Sequence, residues 1–481
     1  MLKIISMYRY FLLFFTGLLL LVGCTKEEAT GTPIIDLPEP PTIDTEPPGG
    51  TVPIPASPQR MGDAEAGFEY LITGDYVNSG PPLELAVAQF GDVPNLLNRT
   101  GDNAQVPYPF NAVESFNGVK IVAPNCLTCH AEFLNDELII GLGNNSFDYT
   151  QDRSGTNNLA AAAIAGIYGA DSPEAEAYEP FRRATEAISD QTITEVIGVN
   201  SAGKLAVVLE AHRNLIDLTW LSEPKYSIPE AVIPSDVPAW WLTKKKNALY
   251  YAAIGRGDYA RTIMAASILT LQDSTQAREI DENFPDVLAF IESIEPPAFP
   301  KPIDTEKAAM GEKIFNLECA KCHGTYGTSE TFPNLLVDLE QVQTDPLLAT
   351  SNFGLSQFLE AYNTGWFGQE PYAAELVPTN GYIAPPLDGV WATAPYLHNG
   401  SVPTLEDLLN SEQRPIYWER TFDSKDYDYQ KVGWQYEIRT NGGNANIYDT
   451  TLPGYGNGGH FYGDHLTTEE RGQLVAYLKT L

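Results

Sequence analysis

The chain carries the pattern Cys-x-x-Cys-His twice, at Cys126-Leu127-Thr128-Cys129-His130 and at Cys319-Ala320-Lys321-Cys322-His323. Two thiols held three positions apart can add to the two vinyl groups of one haem, and the histidine next in sequence is carried beneath the ring to ligate its iron. Cysteine pairs at this spacing also hold zinc or close disulfides. The histidine decides between these uses, because the 481-residue chain has only six and one stands directly after each pair. Both runs therefore read as attachment sites for covalent haem c. The rest of the fold has to be arranged around two irons.

Five cysteines are present, and the one outside the pairs is Cys24. Lys3 and Arg9 precede an apolar run from Phe11 to Val22 that ends in Leu21-Val22-Gly23-Cys24. This is the pattern of an export signal, and the run is shorter than the ~20 residues of a bilayer span. It resembles the lipobox of bacterial lipoproteins, which makes 1–23 a signal peptide and Cys24 the acylated first residue of the mature chain. Residues 24–58 are acidic and rich in proline, with too little apolar content to pack. Extended at ~3.1 Å per residue, such a tether holds the folded part up to roughly 100 Å from a lipid surface. The expected location is extracytoplasmic, lipid-anchored in a Gram-negative bacterium, in the periplasm or at the outer membrane.

The formal net charge is −34. That argues against nucleic acid and anionic lipid headgroups as partners and suits a basic redox partner protein or a neutral substrate. An acidic surface also simply keeps an exported protein soluble.

The remaining chain divides into an N-terminal haem domain (59–150), a helical middle region completing the first haem pocket (151–300) and a C-terminal cytochrome c domain (301–481). Helical periodicity is expected in Glu65 to Thr73, Leu159 to Ala170, Ile188 to Ile197, Lys204 to Asp217 and Tyr259 to Leu271, and a helix is expected to begin at Cys126. Asp304 or Thr305 should cap a helix running into Cys319, and Thr467 or Thr468 a terminal amphipathic helix. Strand signals are sparse, so the expected class is mainly α with long loops. A helix leading into the motif and a terminal helix crossing it resemble a class I cytochrome c domain.

Whether an iron carries electrons or binds small molecules depends on its sixth position. Past the signal, methionine occurs only at Met61, Met264 and Met310, none of them after Cys319. The downstream histidines are His398, His460 and His465. His460 is the favoured sixth ligand of the second haem, because it lies in the glycine-rich run Gly456-Asn457-Gly458-Gly459-His460-Phe461-Tyr462-Gly463, where backbone can approach a flat ring. His398 is the runner-up. For the first haem only His212 is left, at helical spacing typical of a core residue, so an open first iron is expected. Trp240, Trp241 and Tyr251 lie in the densest aromatic and basic cluster of the chain, with Lys244, Lys245 and Lys246 between them and Arg256 and Arg261 beyond. They are candidate haem-proximal aromatics and a candidate propionate patch; the alternative is an amphipathic helix with a packed and a solvated face.

The peptide Ala394-Pro395-Tyr396-Leu397-His398-Asn399-Gly400-Ser401-Val402-Pro403-Thr404-Leu405 resembles the C-terminal signature of the di-haem cytochrome c peroxidase superfamily. With Pro124-Asn125 before the first motif, Gly141-Leu142-Gly143-Asn144 and Gly459-His460-Phe461-Tyr462-Gly463, the likeness is closest to its rubber-oxygenase-like branch. The resemblance implies an asymmetric pair. His130 and His323 would be proximal ligands and His460 distal on a six-coordinate, electron-transferring second haem. The N-terminal haem would activate peroxide or dioxygen, and an organic substrate is a further implied partner. Ile383 stands where the peroxidases place a methionine-bearing segment, leaving Tyr382 as a tyrosinate candidate. The alternative is a non-catalytic electron-transfer lipoprotein with both irons six-coordinate.

Overall fold

A computed structural model describes residues 48–481; the apolar run read as an export signal, Cys24 and most of the proline-rich segment lie outside the described residues. The fold is mixed, 39 % helical and 13 % strand, where sequence periodicity suggested mainly helix. The described strands are two to five residues long and form sheets of two or three strands. Runs so short give little alternation for the eye to find, which is why they escape a periodicity reading.

Two helix pairs frame the molecule. In the first, Ala64–Thr73 packs along Ser274–Ser293. Asp63 caps the former by accepting from the amides of Glu65 and Ala66. A Cβ on Gly67 would sit 1.9 Å from the Asp286 carbonyl oxygen, so only glycine allows the helices to approach this closely. In the second, Thr305–Glu318 is crossed by Thr468–Leu478. Asp304 caps the first of these, and Thr467 with Glu470 forms a capping box on the other. At their crossing a Cβ on Gly311 would lie 2.0 Å from the Gln473 carbonyl oxygen.

Each pair borders its own apolar core. One core contains Leu71, Leu127, Trp240, Met264 and Phe284, and the other contains Trp241, Phe315, Trp391, Tyr396 and Leu474. Adjacent residues Trp240 and Trp241 thus enter different cores, and the 3-10 turn Trp240–Lys245 is the stitch between them.

Four local readings need correction. The helix expected over Lys204 to Asp217 ends at Ala211, and the chain beyond it turns so that Arg213 bridges Trp220. Thr51–Pro53, inside the stretch read as tether, is a strand paired antiparallel with Leu335–Asp338, which also pairs Gly381–Ile383. The helix begun at the first motif ends at His130, because Ala131–Leu134 turns back on Glu137–Ile140 as a hairpin through Asn135 and Asp136, both at positive φ. Ile188 to Ile197 is not one helix: Pro173–Ser189 stops there and the chain turns, with Thr192 to Thr194 taken up in side-chain bonds.

Candidate haem sites

Both Cys-x-x-Cys-His runs close with the same pair of backbone hydrogen bonds. The Cys126 carbonyl accepts from the amides of Cys129 (3.3 Å) and His130 (3.1 Å), and the Cys319 carbonyl from those of Cys322 (3.1 Å) and His323 (3.0 Å). One tight helical turn therefore puts both sulfurs and the imidazole on a common side. All four cysteines are free thiols, and burial pushes Cys126 up to about 11 and Cys319 up to about 12. Among the described residues no group of three or more His, Cys, Asp or Glu converges as a metal cage, so the pairs do not combine into a zinc site.

The second motif opens on a cavity walled by Cys319, Cys322, His323, His460, Leu387 and Leu466, with about 1860 Å³ of atom-free space, its mouth included. The His323 Nδ1 is 2.8 Å from the Pro385 carbonyl oxygen, which assigns the proton to Nδ1 and leaves Nε2 as a metal donor. His460 faces it, ring centres 6.3 Å apart. Two imidazoles on opposite sides of one iron, each bonded at about 2 Å with about 1.1 Å more to its ring centre, would stand roughly 6 Å apart. The pair fits bis-histidine ligation of a haem.

The glycine run holds His460 in place by close backbone contact. A Cβ on Gly459 (φ +77°) would fall 2.2 Å from the Thr344 amide nitrogen, and His460 itself sits at φ +49°. A non-glycine residue there is uncommon and persists only when its surroundings enforce it. The His460 amide donates to the Val342 carbonyl at 2.8 Å, and the buried Arg414 guanidinium donates to the carbonyls of Asn457, Gly459, Leu408 and His460 at 2.7–3.2 Å. Arg414 escaped the sequence reading, since an arginine that bonds only carbonyls has no motif. Burial pushes His460 and His130 each down to about 3 and also lowers His323, so all three are neutral, as metal donors must be.

At the first motif His130 stacks on Trp240, ring centres 4.5 Å apart and planes 19° from parallel. Its Nδ1 is buried without a partner. The loop after it ties the two regions together: the Gly141 amide donates to the His130 carbonyl and the Trp240 amide to the Gly141 carbonyl, each at 2.8 Å. Leu142 and Gly143 of this loop, and Ala239 and Leu242 beside Trp240, line the cavity of the second motif.

The remaining candidates fall elsewhere. His212 stacks on Trp220 and its Nδ1 lies 2.9 Å from the Leu221 carbonyl; His465 is exposed beside Glu318. His398 is 5 % exposed in the second cavity, flat against Tyr382 at 4.1 Å. Tyr382 bonds Asp345 and Ala349 backbone atoms, the role of a structural phenol. Tyr251 donates to Asp236 at 2.5 Å and lines the same cavity, while Trp241 is wholly buried with Nε1 on the Asp388 carbonyl. Of the lysines, Lys244 pairs with Glu295 and Lys245 with Glu330 and Asp388, and only Lys246 lines the cavity. Arg261 pairs with the buried Asp281, and Arg256 reaches the Asn247 carbonyl.

Residues 381–419, which carry Pro385, Tyr382 and His398 and form one wall of the second cavity, match the family described as RoxA-like, cytochrome c-like. This stretch is cytochrome c-like. The match relates it to the rubber-oxygenase-like cytochromes and supports a c-type haem and a haem-based redox function. Two proteins of Sinorhizobium fredii (strain NBRC 101917 / NGR234) are similar over longer stretches. The uncharacterized protein y4iM is 29 % identical over 284 residues, covering 54 % of this chain and 63 % of that protein. The uncharacterized protein y4iJ is 29 % identical over 253 residues, 39 % of this chain and 41 % of that protein. The chain therefore spans less than two thirds of either relative.

Proposed function

We propose that the protein is a di-haem c-type oxidoreductase in which the haem on Cys126, Cys129 and His130 activates peroxide or dioxygen and the haem on Cys319, Cys322, His323 and His460 transfers electrons. A haem iron with a free axial position binds dioxygen or peroxide, whereas one with both positions filled by protein passes electrons. The observation that carries the reading is the unequal distribution of imidazoles: His323 is faced by His460, while the ring against His130 is that of Trp240. His212, His398 and His465 are engaged elsewhere. Of the methionines beyond the signal, Met61 is 93 % exposed, Met310 is exposed, and Met264 is buried in the core that also holds Leu127.

The chain's own residues serve this division of labour in identifiable ways. Pro385 fixes the His323 tautomer. Arg414 and Gly459 hold His460. Trp240 packs the His130 ring, and its chain neighbours Ala239 and Leu242 line the second cavity. Export, acylation of Cys24 and an encounter with a basic redox partner at an acidic surface belong to the same proposal.

Electron paramagnetic resonance of the purified protein, as isolated and after addition of one electron per molecule, tests it. A high-spin ferric signal from one of the two haems in either state is expected. Two low-spin signals persisting through half-reduction would leave an electron-carrying lipoprotein instead.

A further inference from the structure

The second cavity is apolar over most of its wall, contributed by Leu142, Val237, Leu242, Val337, Ile383 and Val390, yet polar groups without partners interrupt it. Thr344 is 6 % exposed and its Oγ1 has no hydrogen-bond partner; His398 is 5 % exposed and its Nε2 has none. Asp388 Oδ2 and His460 Nδ1 on the same wall are also unpaired, but Asp388 already pairs with Lys245 and His460 is the ring facing His323. A buried donor or acceptor left unpaired costs about 1–3 kcal/mol, so Thr344 and His398, which have no such assignment, point to something polar that belongs there. They are neighbours through Tyr382, which stacks on His398 and donates to the carbonyl of Asp345, the residue after Thr344. Lys246 lines the same cavity and forms none of the ion pairs that engage Lys244 and Lys245.

A haem is an apolar disc with two ionised carboxylate tails at one edge. Its ring suits the aliphatic wall, and its tails require hydrogen-bond donors and a cation in a place otherwise hostile to charge. We propose that Lys246, Thr344 and His398 form the seat of the two propionate tails of the haem carried on Cys319 and Cys322, Lys246 supplying the charge and the other two hydrogen bonds. This rests on the haem reading of the second motif. Burial pushes Lys246 down to about 8, a cost that an adjacent carboxylate would relieve. Asp236, in the same cavity, is pushed up to about 7 and is bonded by the Tyr251 hydroxyl, so it does not compete as a full charge at neutral pH or below. These are positioning residues: they touch the tails and leave the iron alone.

The seat predicts a redox effect. The ferrous haem with two ionised tails carries one more negative charge than the ferric, so a cation beside the tails favours reduction. Lys246→Met, Lys246→Arg, Thr344→Val and His398→Phe would be purified with their haems and followed by haem stoichiometry, by resonance Raman bands of propionate bending, and by optical redox titration of the low-spin haem. Lys246→Met should shift the ferric-to-ferrous equilibrium of that haem threefold to tenfold toward ferric, tenfold being 59 mV for one electron. Lys246→Arg should restore it, and Thr344→Val and His398→Phe should each move a propionate band. Loss of the second haem from Lys246→Met with retention in Lys246→Arg would also support the seat. Two haems with unchanged potential and unchanged propionate bands in all four variants would overturn it and leave the haem reading standing. A wild-type peptide spanning Cys319 to His323 without covalent haem would instead remove the reading itself.

Discussion

The His323 and His460 rings stand 6.3 Å apart, centre to centre and tilted by 57°, although 136 positions of sequence separate them (460 minus 323, less one). The separation is set from both sides, by the Pro385 carbonyl on His323 and by the Arg414 and Gly459 contacts on the His460 loop. Replacing His460 with alanine should convert one low-spin haem to high-spin while leaving two haems attached. Optical spectra and paramagnetic resonance would show it; an unchanged low-spin signal would mean that His460 is not the ligand.

Gly459→Ala should give nearly the same spectrum without touching a ligand. The added methyl would meet the Thr344 amide nitrogen at 2.2 Å, and backbone cannot yield as a side chain does. The loop, and His460 with it, must move. If the variant keeps a wild-type low-spin spectrum, the close approach of that loop is not what holds the imidazole.

Trp240→Ala should lower stability by about 3–5 kcal/mol, the usual cost of truncating a buried tryptophan. Urea unfolding measures this. The Trp240 ring packs His130 and belongs to the core with Leu127, so Trp240→Phe should recover much of the loss.

Acid should destabilise the fold below neutrality. His398 is held near about 3 by burial, against about 6.5 in an unfolded chain. Between those values the unfolded chain binds more protons, so its contribution is whole above about pH 6.5 and is lost as pH falls toward about 3. One such histidine sets an upper slope of about 1.4 kcal/mol per pH unit. Urea midpoints at pH 7 and 5 should fall with pH, and less steeply in His398→Gln, whose side chain does not charge.

Cys24→Ser should release the protein from membranes into the soluble extract, tracked by immunoblot of fractionated cells. Retention in the membrane fraction would show that the thiol is not the point of attachment.

The two Cys-x-x-Cys-His turns were legible because their chemistry is local: the same carbonyl accepts the same two amides wherever the five residues occur. The Thr305–Glu318 and Thr468–Leu478 helices were legible for a similar reason, since the Asp304 and Thr467 caps act within three residues. Strands of two to five residues were not, because runs so short carry little alternation, and some, such as Thr51–Pro53 on Leu335–Asp338, also find their partners far away. Nor could sequence foresee that neighbouring Trp240 and Trp241 enter different cores, or that of three consecutive lysines only Lys246 reaches the cavity. Sequence by itself determined where the two Cys-x-x-Cys-His turns form. Only the tertiary structure decided which imidazole faces which, because that distance is the sum of long-range packing, Arg414 on the glycine loop and Pro385 on His323, and no local spacing encodes it.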